Sequence, residues 1–115
     1  MRIVTIGGKE IGLKATPLAL LFYKQEFKSD LVGDMVVLSK AEKDPTKIDS
    51  VILMQIIWTM NKAHEGFGIP FPNFPKWLES LDSIDFSNDK LMLDVLEEAE
   101  QGFFRSGGGA KPPDK

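Results

Sequence analysis

Four short stretches of this 115-residue chain carry residue types that could do chemistry. Gly7-Gly8-Lys9 invites a phosphate reading, since a glycine turn followed by lysine can cradle an anion. A P-loop needs four residues between its first glycine and the Gly-Lys pair, then Ser or Thr for the metal. Here Glu10 follows Lys9 and an alternating stretch follows that, so the trio reads as a hairpin turn. His64-Glu65 opens like a zinc-protease motif, but Gly68 stands where the second histidine belongs. His64 is the only histidine and there is no cysteine, which leaves few zinc ligands and no triad with a metal beside it. At the end of a helix, His64 suits the dipole. Asp94, Glu97 and Glu98 share one helical face by their spacing, with Glu100 close by. A di-iron centre would need Glu-x-x-His pairs on facing helices, and none exists, so Glu97, Glu98 and Glu100 read as a solvated face. Gly66-Phe67-Gly68 is too short for a dinucleotide fingerprint and runs towards proline. No catalytic, cofactor-binding or metal-ligating residue is assigned, and the site criteria favour an interaction protein over an enzyme.

The elements around these stretches define a mainly α (α+β) fold: an N-terminal β-hairpin packed on a compact bundle of about four to five helices. Residues 2–14 read as the hairpin, with β-branched Ile3, Val4, Thr5 and Ile6 on one arm and alternating Ile11 and Leu13 on the other. Thr16-Pro17 starts the first helix, about 17–29, with the threonine hydroxyl as cap and proline in the first turn. The hairpin is expected to cover this helix, whose apolar face includes Leu18, Leu20, Leu21, Phe22, Tyr23 and Phe27. Residues 31–42 form a second piece, separate or kinked at Gly33. A third helix, about 46–63, is apolar almost all round and reads as the centre of the domain. A short helix at 75–81 and a last helix at 88–104 follow, the latter with Ser87 as N-cap and Phe86 packed on Leu91. The globular domain is thus 1–105, and 106–115 reads as a disordered tail with no apolar residue larger than alanine.

Composition narrows the function classes. The chain is 43% apolar and 27% charged, so a domain of this size buries about two thirds of its unfolded surface and folds without metal or disulfide. Fourteen Lys plus Arg stand against 17 Asp plus Glu, a net charge of −3, with no basic cluster to meet nucleic-acid phosphates. No apolar run approaches the roughly 20 residues of a membrane span, and none reads as a signal-peptide core. A cytoplasmic protein is expected. One feature stands out instead. Phe67, Phe71, Phe74 and Trp77 are interleaved with Pro70, Pro72 and Pro75. Such a cluster either closes over the core or docks a partner, together with exposed parts of Leu31, Val32 and Met35.

The order of elements resembles a family. "MRIVTIGGKEIGLKATPLALLFYKQEF" is similar to the start of tail assembly chaperones from long-tailed (siphovirus-type) bacteriophages and prophages of Gram-positive bacteria. These open with an I-x-I-x-G-K-E type hairpin, here Ile3 to Glu10, then an apolar helix, here Leu18 to Phe27. "FPKWLESLDSID", residues 74–85, resembles their aromatic-x-x-Trp-Leu segment. The resemblance implies a non-enzymatic protein without cofactor that binds the tape measure protein and keeps it soluble while the tail tube assembles. It places the chain in the host cytoplasm and outside the mature virion. The major tail protein, a longer frameshift product of the same gene and a second copy of the chain are further implied partners, with nucleic acid and membrane excluded. Residues 107–115 would then be the linker near a frameshift site, against the alternative of a frayed terminus. A structural head–tail or tail component, and an adaptor domain outside any phage, are the competing readings.

Overall fold

The computed structural model describes residues 1–41 and 49–104. The α+β arrangement is as expected: one antiparallel hairpin, then helices. Strands β1 (Arg2–Ile6) and β2 (Lys9–Leu13) pair from Arg2 opposite Leu13 to Ile6 opposite Lys9. Alternation puts Val4, Ile6, Ile11 and Leu13 on the buried face and leaves Ile3 and Thr5 outside, the period of two that a pleated strand imposes. Gly7 and Gly8 both have positive φ, 58° and 80°, the twist-matched two-residue turn that favours glycine.

Among the described residues five α-helices follow: α1 (Pro17–Phe27), α2 (Leu31–Ala41), α3 (Ser50–Glu65), α4 (Phe74–Glu79) and α5 (Asp89–Ala99). The start of α3 falls later than the sequence pattern suggested, at the Asp49 cap, and residues 46–48 of that expectation lie outside the described residues. So does the expected tail. α1 and α2 are separate helices. Lys28 takes a left-handed conformation with its N–H on the Lys24 carbonyl, ending α1. The Asp30 carboxylate then accepts from Gly33 N–H at 2.8 Å, starting α2. The last helix does not run unbroken: α5 gives way to a π-helical turn, Glu100–Phe104, and Phe103 still packs against the core.

Three local expectations are corrected. The Thr16 hydroxyl makes no capping bond; its carbonyl accepts from Ala19 N–H instead. Asn88, not Ser87, caps α5, accepting from Leu91 N–H at 3.1 Å. Ser87 is held by Asp85, whose carboxylate accepts from both its N–H and its hydroxyl, so Phe86 no longer stands at the staple position. The hairpin lies mainly on α3 and α5 rather than on α1. It reaches α3 closely because residue 12 is glycine: a Cβ there would stand 2.6 Å from the His64 ring.

α3 is the centre of the core, with Leu53, Ile56, Ile57, Trp58 and Met60 all buried. Its buried Thr59 and Asn61 and its half-buried Gln55 have partners in the neighbouring elements or in α3 itself. The Tyr23 hydroxyl from α1 donates to Asp34 of α2 at 2.6 Å and lies 3.0 Å from the Gln55 side-chain oxygen. Ser29 also donates to Asp34, at 3.0 Å. Thr59 donates back to the Gln55 carbonyl at 2.7 Å. Leu20 and Leu21, expected inside, are instead 37% and 45% exposed, because only the Ala19–Phe22–Tyr23 side of α1 meets α3.

The acidic face of α5 is also corrected. Glu98 is buried, 6% exposed, and accepts from Ala15 N–H at 3.1 Å. Arg2 on β1 lies 3.2 Å from both Asp94 and Glu97, and 3.9 Å from Glu98. Asp94 and Glu98 therefore clamp the start of the hairpin, while Glu97 and Glu100 stay exposed as expected. The Lys90 hydrogen bond, and then the charges of Lys90 and Arg2, hold Asp94 below its ordinary value.

Two measurements check this account. Burial, and then the Asp34 hydrogen bond, raise the Tyr23 phenol far above its ordinary value of 10.0. The folded chain keeps a proton that the unfolded chain releases near about pH 10, so the stabilisation is complete below that pH and lost above it. Stability in urea should fall by about 1.4 kcal/mol per pH unit above about pH 10 relative to Tyr23→Phe. Since Tyr23 is the only tyrosine, phenolate absorbance should rise with the loss of helical circular dichroism and not before it. Second, Glu98→Ala should cost about 2 kcal/mol by stranding the buried Ala15 N–H, whereas Glu97→Ala on the exposed side should change stability by less than about 1 kcal/mol.

Candidate functional site

The seven residues singled out for partner binding do not form one surface. Trp77, Leu31 and Met35 are buried, at 3%, 1% and 4% exposure, and offer little to a partner. Phe71, Phe74 and Val32 are half-buried. Phe67 alone is largely exposed, with its ring parallel to Phe22 at 6.5 Å between centroids. The proline-spaced aromatics mostly close over α3. Phe71 and Phe74 meet Trp58 edge-on at 6.0 and 6.4 Å, and Phe74 meets Phe27 at 5.0 Å. Aromatic edges against ring faces are favourable geometry.

Hydrogen bonds fix where this cluster sits. Trp58 Nε1 donates to the Pro72 carbonyl at 3.0 Å. Phe74 N–H donates to Glu26 of α1 at 2.9 Å, and the Asn73 side chain caps α4 by accepting from Lys76 N–H. Trp77 Nε1 donates to Asn61 of α3 at 3.0 Å, and Asn61 donates onward to the Gly12 carbonyl of β2 at 2.9 Å. α4 is thereby held to α3 and the hairpin through one amide.

What α4 then builds is an apolar groove of about 240 Å³. Its first wall is the N-terminal turn of α3, where Asp49 caps Val51 N–H and Ile52 N–H at 3.0 and 3.1 Å and Val51 and Met54 face the opening. Its second wall is α4, with Phe74 and Leu78 four residues apart on one face. Its third is the segment after α4, bringing Leu81, Ile84 and Phe86. Val51, Leu78 and Phe86 are 55%, 37% and 43% exposed. The hairpin turn buttresses this third wall: a Cβ on Gly7 would stand 2.7 Å from the Ser83 carbonyl oxygen.

Of the proposed docking residues, only Phe74 lines the groove. The others that do were passed over because 81–85 reads as a polar connector and α3 as buried all round. A signal was present in Leu78-Glu79-Ser80-Leu81-Asp82-Ser83-Ile84-Asp85, where an apolar residue and an acid recur every third position. A second, more polar cleft of about 500 Å³ contains Lys9, Glu10, His64 and Glu65. Three of these bond within the protein: Lys9 to the Ser80 carbonyl at 3.4 Å, and His64 Nδ1 with Glu65 at 3.4 Å. Among the described residues no group of three His, Asp or Glu side chains could hold a metal ion, and no helix is long and apolar enough to cross a membrane.

Comparison with family models, curated proteins and solved structures found no match.

The Asn61 relay is testable. Asn61→Ala leaves both the Trp77 indole N–H and the Gly12 carbonyl without their partner, and should cost about 2–4 kcal/mol in urea unfolding. Trp77→Phe removes one donor and should cost less.

Proposed function

We propose that this chain is a tail assembly chaperone, holding the tape measure protein of a phage tail in soluble form until the tail tube forms around it. The resemblance of residues 1–27 and 74–85 to such chaperones supports the reading. The observation that carries it is the groove between α3, α4 and the segment to Phe86. It exposes Val51, Leu78 and Phe86 around an apolar floor. A tape measure protein is a long helical rod that aggregates through its apolar stripes, and two helices with a cleft between them accept such a stripe. On this reading the chain works in the host cytoplasm and is absent from finished virions.

Co-expression with the cognate tape measure protein tests the proposal. Its soluble fraction should rise when this chain is present. Val51→Asp and Leu78→Glu change exposed side chains, so the variants should fold. Each should weaken the complex about tenfold or more by setting an unpaired charge against apolar surface. An unchanged soluble fraction with and without the wild-type chain would sink the reading.

A further inference from the structure

The hairpin has one closed edge and one open edge. Across its two-residue turn the flanking pair, Ile6 with Lys9, exchanges backbone hydrogen bonds, and every second pair from there does the same. Arg2, Val4 and Ile6 therefore direct their backbone groups to β2, while Ile3 and Thr5 direct theirs away from it. The same alternation turns outward the backbone of Gly12 in β2 and of Lys14 just beyond it, and these are held to α3. The Gly12 carbonyl accepts from Asn61 at 2.9 Å, and Lys14 N–H donates to the Met60 carbonyl at 3.1 Å. On the other edge, among the described residues, neither Ile3 nor Thr5 has a hydrogen bond outside the hairpin. Both are exposed, Ile3 at 55%. A cleft of about 220 Å³ beside them is lined by Ile3 and Thr5 of β1 with Lys90 and Asp94 of α5. Strand edges are ordinarily blunted by charge, proline or a bulge. β1 has no proline and its register is unbroken. Its one charge, Arg2, turns to Asp94. Lys90 and Asp94, at the cleft, pair with each other at 3.0 Å, so no net charge repels a second edge of the same kind.

We propose that β1 pairs antiparallel with β1 of a second copy, joining two two-stranded sheets into one. A two-fold axis through Val4 sets Ile3 opposite Thr5 of the partner subunit, and Thr5 opposite Ile3 of the partner subunit. Each of these pairs exchanges two backbone hydrogen bonds, which uses every outward backbone group of Ile3 and Thr5 in both copies. The strand suits its own image. β-Branched side chains meet on both faces, Ile3 with Thr5 outside and Val4 with Val4 inside. Arg2 stands opposite Ile6, so no like charges oppose. Unpaired ladder amides recognise an extended strand, and the open strand edge among the described residues is β1's own. A two-fold axis closes the edges of both copies at once and leaves none to propagate. A helical client offers no such strand, so the occupant is the second copy.

Amide hydrogen exchange at rising concentration, alongside sedimentation equilibrium, tests it. The dilute chain should be a monomer whose Ile3 and Thr5 amides exchange freely, while those of Val4 and Ile6, bonded to β2, are protected. The concentrated chain should be a dimer with all four protected. Thr5→Pro removes an outward N–H and no bond to β2, and proline is tolerated on an edge strand. It deletes half of the new hydrogen bonds and should weaken the dimer about tenfold or more. Ile3→Lys/Thr5→Lys changes only exposed side chains, so it carries the test even if Thr5→Pro does not fold. It sets lysine opposite lysine and should also weaken the dimer about tenfold or more. The chain has no cysteine, so a mixture of Ile3→Cys and Thr5→Cys chains reads the register: oxidation should join unlike chains in preference to like ones. A chain still monomeric at about 1 mM, a dimer with Ile3 and Thr5 unprotected, or a dimer indifferent to both variants would overturn the proposal. Protection in the dilute chain would also overturn it, because the chain would be covering its own edge. So would protection that appears only with the tape measure protein, which would make the client the occupant. The dimer forms without a client, so none of these outcomes removes the chaperone reading. A dimer as stated beside an insoluble tape measure protein fails that reading alone.

Discussion

A helix buried along most of its length must find a partner for every polar side chain it buries, and that constraint organises this protein. α3 has few such groups, and they point different ways. Gln55 meets Tyr23, and through it α1 and α2. Asn61 meets Trp77 on one side and the Gly12 carbonyl on the other. Apolar contact alone would let these elements slide against α3 with little change in energy. A directional hydrogen bond in a dry interior does not, because the misplaced group would lose a partner and gain no water. The apolar surface of α3 thus supplies adhesion, and its two amides supply register.

This division explains what could be read from the sequence. The hairpin, the helix order and the centrality of α3 follow from periodicity and turn residues, which are local. The aromatic cluster was visible as a cluster, but its direction was not. Whether Phe71, Phe74 and Trp77 face in or out depends on Trp58 and Phe27 lying across from them, and no local pattern carries that. Glu98 misled for a related reason. An acid on a polar stripe looks solvated until the hairpin and the residues after it bring Arg2 and the Ala15 N–H against it. Caps failed by one residue at Ser87 and Asn88, since both types can cap and only Asp85 decides which is free to do so.

The groove belongs to the same logic. Its floor is the outward side of the contacts that seat α4 on α3. Tightening the seat with Trp77 and Phe74 leaves Leu78 and Val51 at the surface of the described residues. Stability and an open apolar face are therefore two sides of one packing arrangement.

The contact between Gly7 and Ser83 has a dynamic consequence. From Leu81 to Asn88 the chain has no helix or strand of its own, and it leans on the hairpin turn. Local opening of such a segment is governed by whatever it leans on. The hairpin is in turn held by the Arg2 and Glu98 contacts to α5. The shape of the groove is thus kept by residues at the opposite end of the sequence. Loosening the first strand should therefore loosen the third wall of the groove, although no side chain of that strand lines it.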